Sequence, residues 1–120
     1  VTERGPGCVA MKLLVKGIEG ETTISVQNAI RIALGDASLT LTLMDGKTSD
    51  GWSLLPSGFL AIEETGTDEQ GVVQFRVYGG GYGHGVGMSQ NGAQGMAKAG
   101  MGYEEILKYF YDGVTIEEKK

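Results

Sequence analysis

The sequence predicts an α+β fold: a mostly antiparallel β-sheet or partial barrel carrying two to three short helices. Three observations lead there. Several short runs alternate apolar and polar residues with period two, as half-buried strands do. Only two stretches carry a clear 3.6-residue apolar stripe. Helical crossovers are therefore too few to wind a parallel sheet. With 120 residues the chain can build one modest core, and it reads as a single domain over residues 1–120. No internal repeat and no linker divides it.

The elements follow in chain order. Cys8–Gly17, "CVAMKLLVKG", reads as a strand with Val9, Met11, Leu13 and Val15 on one parity, and "GIEGET" as the turn after it. "SVQNAIRIALG" reads as a helix. Val26, Ala29, Ile30, Ala33 and Leu34 form its apolar face, Ser25 its N-cap, and Gly35 its left-handed stop. "SLTLTLMDG" alternates strictly and ends in an Asp45–Gly46 turn. The stretch "KTSDGWSLLPSG" reads as irregular, with Trp52 as a core plug under a loop or, alternatively, a platform for a sugar ring. "FLAIEE" and "VVQFRVYG" form a hairpin, and Val73, Phe75 and Val77 are expected to face the core. "YEEILKYFYDG" is a helix with Tyr103, Ile106, Leu107 and Phe110 along one face and Glu104 and Glu105 at its positive end. Gly113 stops it, and "VTIEE" is expected to close the chain as a strand.

Composition removes several functions. The formal net charge is −5, with no basic cluster to neutralise phosphates, so no nucleic acid is expected as a partner. The same charge offers no attraction to an anionic membrane surface, and no apolar run reaches the roughly 20 residues of a spanning helix. No membrane contact is therefore expected from these residues. One cysteine, Cys8, excludes an internal disulfide framework and leaves the compartment open. The abrupt opening "VTERGPG" reads as the start of a piece of a longer protein.

Chemistry concentrates in "YGGGYGHGVGMSQNGAQGMAKAG", Tyr78 to Gly100, which holds nearly half of the 21 glycines and the one histidine, His84. The dinucleotide fingerprint fails there, because Val86 falls where a register begun at Gly81 needs glycine. The phosphate loop fails for want of a lysine between Arg76 and Lys98. The nucleophile elbow around Ser89 fails because Asn91 occupies the last glycine position. A flexible linker would not interleave Tyr78, Tyr82, Val86 and Met88. His84 and Cys8 are too few soft ligands for zinc, so neither metal nor cofactor is expected. Glycine here serves close packing or positive φ. From Ser89 as N-cap a helix can run with Ala93, Met96, Ala97 and Gly100 on a small-residue face. His84, poorly shielded by its glycine neighbours, is either a structural hydrogen-bonding group or a ligand contact.

At this length the strip is specific. "GGGYGHGVGMSQNGAQGMAKAGMGYEEILKYFYDGVTI" strongly resembles the C-terminal signature of the SpoIID domain family of sporulation and amidase-enhancer proteins. Gly81, Gly83 through Gln90, Gly92 and Ala93 match its first block; Gly95, Met96, Ala97, Tyr103, Glu105, Ile106 and Leu107 match its second. Asn91 stands in place of the usual aromatic, and Val114 in place of the usual threonine.

The resemblance implies a peptidoglycan-directed protein acting outside the cytoplasmic membrane, the C-terminal part of a SpoIID-type lytic transglycosylase. The alternative is a non-enzymatic wall-binding or amidase-enhancer module. Its partners would be glycan strands and other wall hydrolases or amidases. Transglycosylase chemistry needs one carboxyl as acid and then base, and no second carboxylate nucleophile. In the family that glutamate lies in an N-terminal helical segment of a type not found among these residues, so no catalytic residue is assigned. Glu105 suits helix capping, and Glu63 and Glu64 suit a solvated strand end. His84, Ser89 and Gln90 are expected to contact glycan, with Tyr82 as a stacking face. An apolar face that such a missing segment would cover also opens a route to homodimers.

Overall fold

The computed structural model describes residues 1–119, which fold as two compact units, Val1–His84 and Gly85 onward. The architecture is α+β as expected. Its sheets are small and antiparallel, and none closes into a barrel.

The first unit opens with β1 (Glu3–Arg4), β2 (Ala10–Gly17) and β3 (Gly20–Ser25), a three-stranded sheet in the order β1-β2-β3. The segment read as a turn therefore begins a third strand. Gly17 pairs with Gly20, so only Ile18 and Glu19 form the loop, and Gly20 takes a φ of 147°. β2 is not buried on one parity alone. Ala10 and Leu13, on opposite faces, are its buried residues, while Val15 is exposed.

α1 spans Gln27–Ala33, with Val26 at its N-cap and Leu34 at its C-cap. Ser25 is not the cap, because it still pairs with Lys12 in the sheet. The buried face also differs from the apolar stripe by a turn of the wheel. Gln27, Ile30 and Arg31 are buried, with Leu34 half-buried, whereas Val26 and Ala29 face out. Gly35 is required for space, not for a left-handed conformation: a Cβ there would stand 2.4 Å from the Ser53 carbonyl oxygen.

β4 (Thr40–Thr42) and β5 (Thr48–Asp50) form a short hairpin. Its turn uses Asp45 and Gly46 as expected: Gly46 has a φ of 81°, and the Asp45 carboxylate accepts from the Lys47 amide. The strand is shorter than its alternation suggested. Leu39 and Leu41 reach the core, but Leu43 stays exposed.

β6 (Phe59–Thr67) and β7 (Val73–Gly80) form the expected hairpin, but Val73, Phe75 and Val77 do not enter the core. Their exposures are 42%, 61% and 41%. Val77 lies opposite Ile62, so the parity is right. Only the base of the hairpin, through Leu60 and Ile62, meets the core; the remainder runs past it. That core consists of Ala10, Leu13, Ile30, Leu55 and Leu60, with Ile24, Leu34, Leu39, Leu41 and Ile62 packed around them.

The second unit contains α2 (Gln90–Lys98) and α3 (Tyr103–Phe110), which pack on each other. Gly92 on α2 sits against the α3 side: a Cβ there would lie 3.2 Å from Phe110 Cζ. Ile106 is the buried residue of α3, and Gly113, at a φ of 68°, follows its end as expected. Residues 114–119 form no strand, against the expectation for "VTIEE", because among the described residues the second unit holds only helices and no strand for them to pair with. No helix among the described residues is long and apolar enough to cross a membrane.

Candidate functional site

The site is built on backbone carbonyls held by two buried polar side chains of α1. Arg31 sits one turn after Gln27, so the two share a face. Its Nε donates to the Leu55 carbonyl at 2.7 Å, and one terminal nitrogen donates to the Pro56 carbonyl at 3.1 Å. Gln27 Nε2 donates to the His84 carbonyl at 2.6 Å. Arg31 thus fixes the segment before β6, and Gln27 holds the backbone that carries His84.

The 55–57 segment in turn grips the glycine strip. The Gly83 amide donates to the Pro56 carbonyl at 2.8 Å, and Ser57 forms an isolated parallel bridge with Gly83. The buried Ser57 hydroxyl donates to the Gly80 carbonyl. Between these anchors, Gly81 and Gly83 take φ values of 76° and 101°. An L side chain is strained there, so glycine alone lets the chain make this path. The residues that alternate with them, Tyr82 and His84, are exposed, Tyr82 by 83%.

Close packing reaches under the strip as well. A Cβ on Gly58 would stand 2.5 Å from Gln27 Oε1 and 2.7 Å from Val9 Cγ2. Gln27 Oε1 is buried without a hydrogen-bond partner among the described residues. Its amide is therefore oriented by the single strong bond to His84 rather than by a full set.

Trp52 lies beside Tyr82. The ring centroids are 6.4 Å apart and the planes meet at 78°. Trp52 Nε1 donates to Ser49 Oγ at 3.0 Å, and the Trp52 carbonyl accepts from the Asp36 amide at 3.0 Å. The tryptophan is half-buried and stands outside the core cluster. The Asp36 carboxylate accepts from the Ser38 hydroxyl and then the Ser38 amide, which hold its pKa below the usual carboxylate value.

Ser89 and Gln90 belong to the second unit. Ser89 is the N-cap of α2, as expected, its Oγ accepting from the Gly92 amide at 3.1 Å. Gln90 is exposed at the first helical position. The Met88 amide donates to the Tyr111 hydroxyl at 3.2 Å, which ties the segment leading into α2 to the end of α3. Glu105 accepts from the Gly102 amide at 2.9 Å and so caps α3. Glu104 pairs with Lys108 at 3.7 Å, and in the first unit Glu63 accepts from the Tyr78 hydroxyl at 2.9 Å.

The four residues read from the sequence thus fall two to each unit: Tyr82 and His84 in the first, Ser89 and Gln90 in the second. Sequence reasoning missed Gln27, Arg31 and Ser57 as the supports of the strip. A glutamine and an arginine one turn apart, flanking Ile30, were the available signal, but the small Ala29 and Ala33 made an apolar stripe on a different face look complete. Among the described residues no group of three or more His, Cys, Asp and Glu could hold a metal ion.

An exposed aromatic and an exposed histidine on a glycine-shaped strip suit a polar, ring-bearing ligand. Comparison with known proteins finds relatives of part of the chain. The chain is 51% identical over 43 residues to the amidase enhancer of Bacillus subtilis, 36% of this chain and 6% of that protein. It is 58% identical over 38 residues to stage II sporulation protein D of the same organism, 32% of this chain and 11% of that protein. A protein of Brachyspira hyodysenteriae of uncharacterized role matches at 41% over 76 residues, 63% of this chain and 19% of its length. No protein-family model and no solved structure matches. The chain carries a SpoIID-type sequence, related to sporulation and amidase-enhancer proteins. It corresponds to less than a fifth of the length of each of these relatives.

Proposed function

We propose that this chain is a peptidoglycan-binding part of a SpoIID-type protein that acts outside the cytoplasmic membrane, serving a lytic transglycosylase on glycan strands. The similarity to the amidase enhancer and to stage II sporulation protein D carries this reading. The geometry supports it with exposed groups matched to sugar chemistry. His84 and Gln90 offer donors and acceptors to hydroxyl and acetamido groups, Ser89 presents its hydroxyl at a helix start, and Tyr82 offers an aromatic face. The proton donor of such a reaction is not assigned to these residues. Glu105 is engaged in capping the amide of Gly102, and Glu63 accepts from the Tyr78 hydroxyl.

The test is incubation of the 120-residue chain with purified cell wall. The chain should sediment with the wall and release no anhydro-muropeptides. His84→Ala and Gln90→Ala should weaken sedimentation while leaving thermal stability unchanged. Release of anhydro-muropeptides by this chain alone, or loss of stability without loss of binding in both variants, overturns the reading. The match to the amidase enhancer favours a second reading, a module that binds a wall amidase. Stimulation of a purified amidase, with binding to amidase in the absence of wall, would select it.

A further inference from the structure

We infer that Trp52 and Tyr82 together form an aromatic platform that receives a pyranose ring of a β-1,4-linked N-acetylhexosamine chain. The inference rests on the peptidoglycan reading above and adds to it a residue, Trp52, from a segment far from the glycine strip. Tyr82 is 83% exposed, yet the backbone next to it is held in place. Gly83 is pinned to Pro56 and bridged to Ser57, and Gly81 and Gly83 sit in positive-φ conformations on either side. A large ring presented to water by a fixed backbone buries little of its own surface. It is preordered for a ligand, which loses less freedom on binding to it.

Trp52 meets the ring nearly at right angles, 6.4 Å away between centroids. Its Nε1–H is already committed to Ser49 Oγ, and its carbonyl to the Asp36 amide, so the indole is fixed in orientation. It is absent from the core cluster and half-buried, so part of its indole still reaches solvent beside Tyr82. Two ring planes at 78° present apolar faces in two directions from one corner. The face of a pyranose lined by axial C–H bonds is apolar and slightly electropositive, the complement of the negative face of an aromatic ring. Its equatorial hydroxyls remain at the rim, where they stay hydrated or meet polar side chains.

Trp52 is the one tryptophan of the chain, so its emission reports this corner alone. The probe is tetra-N-acetylchitotetraose titrated into the full chain, with sedimentation on purified cell wall in parallel. The expected result is a saturable change in tryptophan emission. Tyr82→Ala should weaken binding about tenfold, as removal of a stacking ring does elsewhere. Tyr82→Phe, which keeps the ring face, should bind as the parent does, and so should Tyr103→Ala, which removes an exposed tyrosine on α3. Circular dichroism checks that each variant is folded. If the chain sediments with wall while its emission does not respond and Tyr82→Ala sediments as the parent does, the platform is overturned and the peptidoglycan reading stands. Failure to sediment with wall, together with an unresponsive tryptophan, overturns both.

Discussion

Two glycines on one short helix should respond in opposite directions to the same substitution. Gly92 and Gly95 both lie inside α2, where glycine costs roughly 1 kcal/mol relative to alanine. At position 95 an added Cβ meets nothing within 4 Å. Gly95→Ala should therefore collect the whole gain, about 1 kcal/mol of stability. At position 92 the Cβ would lie 3.1 Å from Ser89 Oγ and 3.2 Å from both Ser89 Cβ and Phe110 Cζ. Ser89 Oγ is the acceptor that caps the helix, worth about 1 kcal/mol, and displacing Phe110 adds overpacking of about 1–3 kcal/mol. These terms exceed the propensity gain, so Gly92→Ala should be destabilising by about 1–3 kcal/mol. The two variants should then differ by roughly 2–4 kcal/mol. Urea unfolding followed by helical circular dichroism measures this directly. Equal shifts for the two variants, or a loss of stability at Gly95→Ala, would refute the view that space against α3 is what demands Gly92.

Removal of Arg31 should be costly. Arg31→Met strips charged donors from the Leu55 and Pro56 carbonyls, and a loss of about 3 kcal/mol is expected by chemical denaturation. Gly83→Ala has open space for its Cβ but a φ of 101°, so it should lose about 1–2 kcal/mol through backbone strain alone. A cost near zero would show that the strip can relax. Glu105→Ala should lower stability by about 1 kcal/mol through the lost cap on α3, with wall sedimentation unchanged. The Asp36 carboxyl should titrate below the usual carboxylate value in an NMR pH series and move back up in Ser38→Ala. Because the folded value is the depressed one, its contribution to stability is present above the ordinary carboxylate range and lost as pH falls through the folded value.

The amino-acid sequence by itself determined the fold class, the β6–β7 hairpin, the Asp45–Gly46 turn, and the Ser89 and Glu105 caps. These depend on neighbours a few residues away, through pairing period, turn conformation and orphan amides. It also carried the resemblance to SpoIID-type proteins, because the glycine strip and the helix after it form one long local pattern. Tertiary structure alone decided which residues the core would cover. Val73, Phe75 and Val77 have the right parity but lie where the hairpin outruns the core. The face of α1 was likewise set from a distance: Gln27 and Arg31 turn inward because the His84, Leu55 and Pro56 carbonyls need donors there. Trp52 and Tyr82 come from separate segments of the chain, and no local period relates them. Period and propensity describe a residue against its own segment, whereas burial and carbonyl satisfaction depend on segments that only folding brings together.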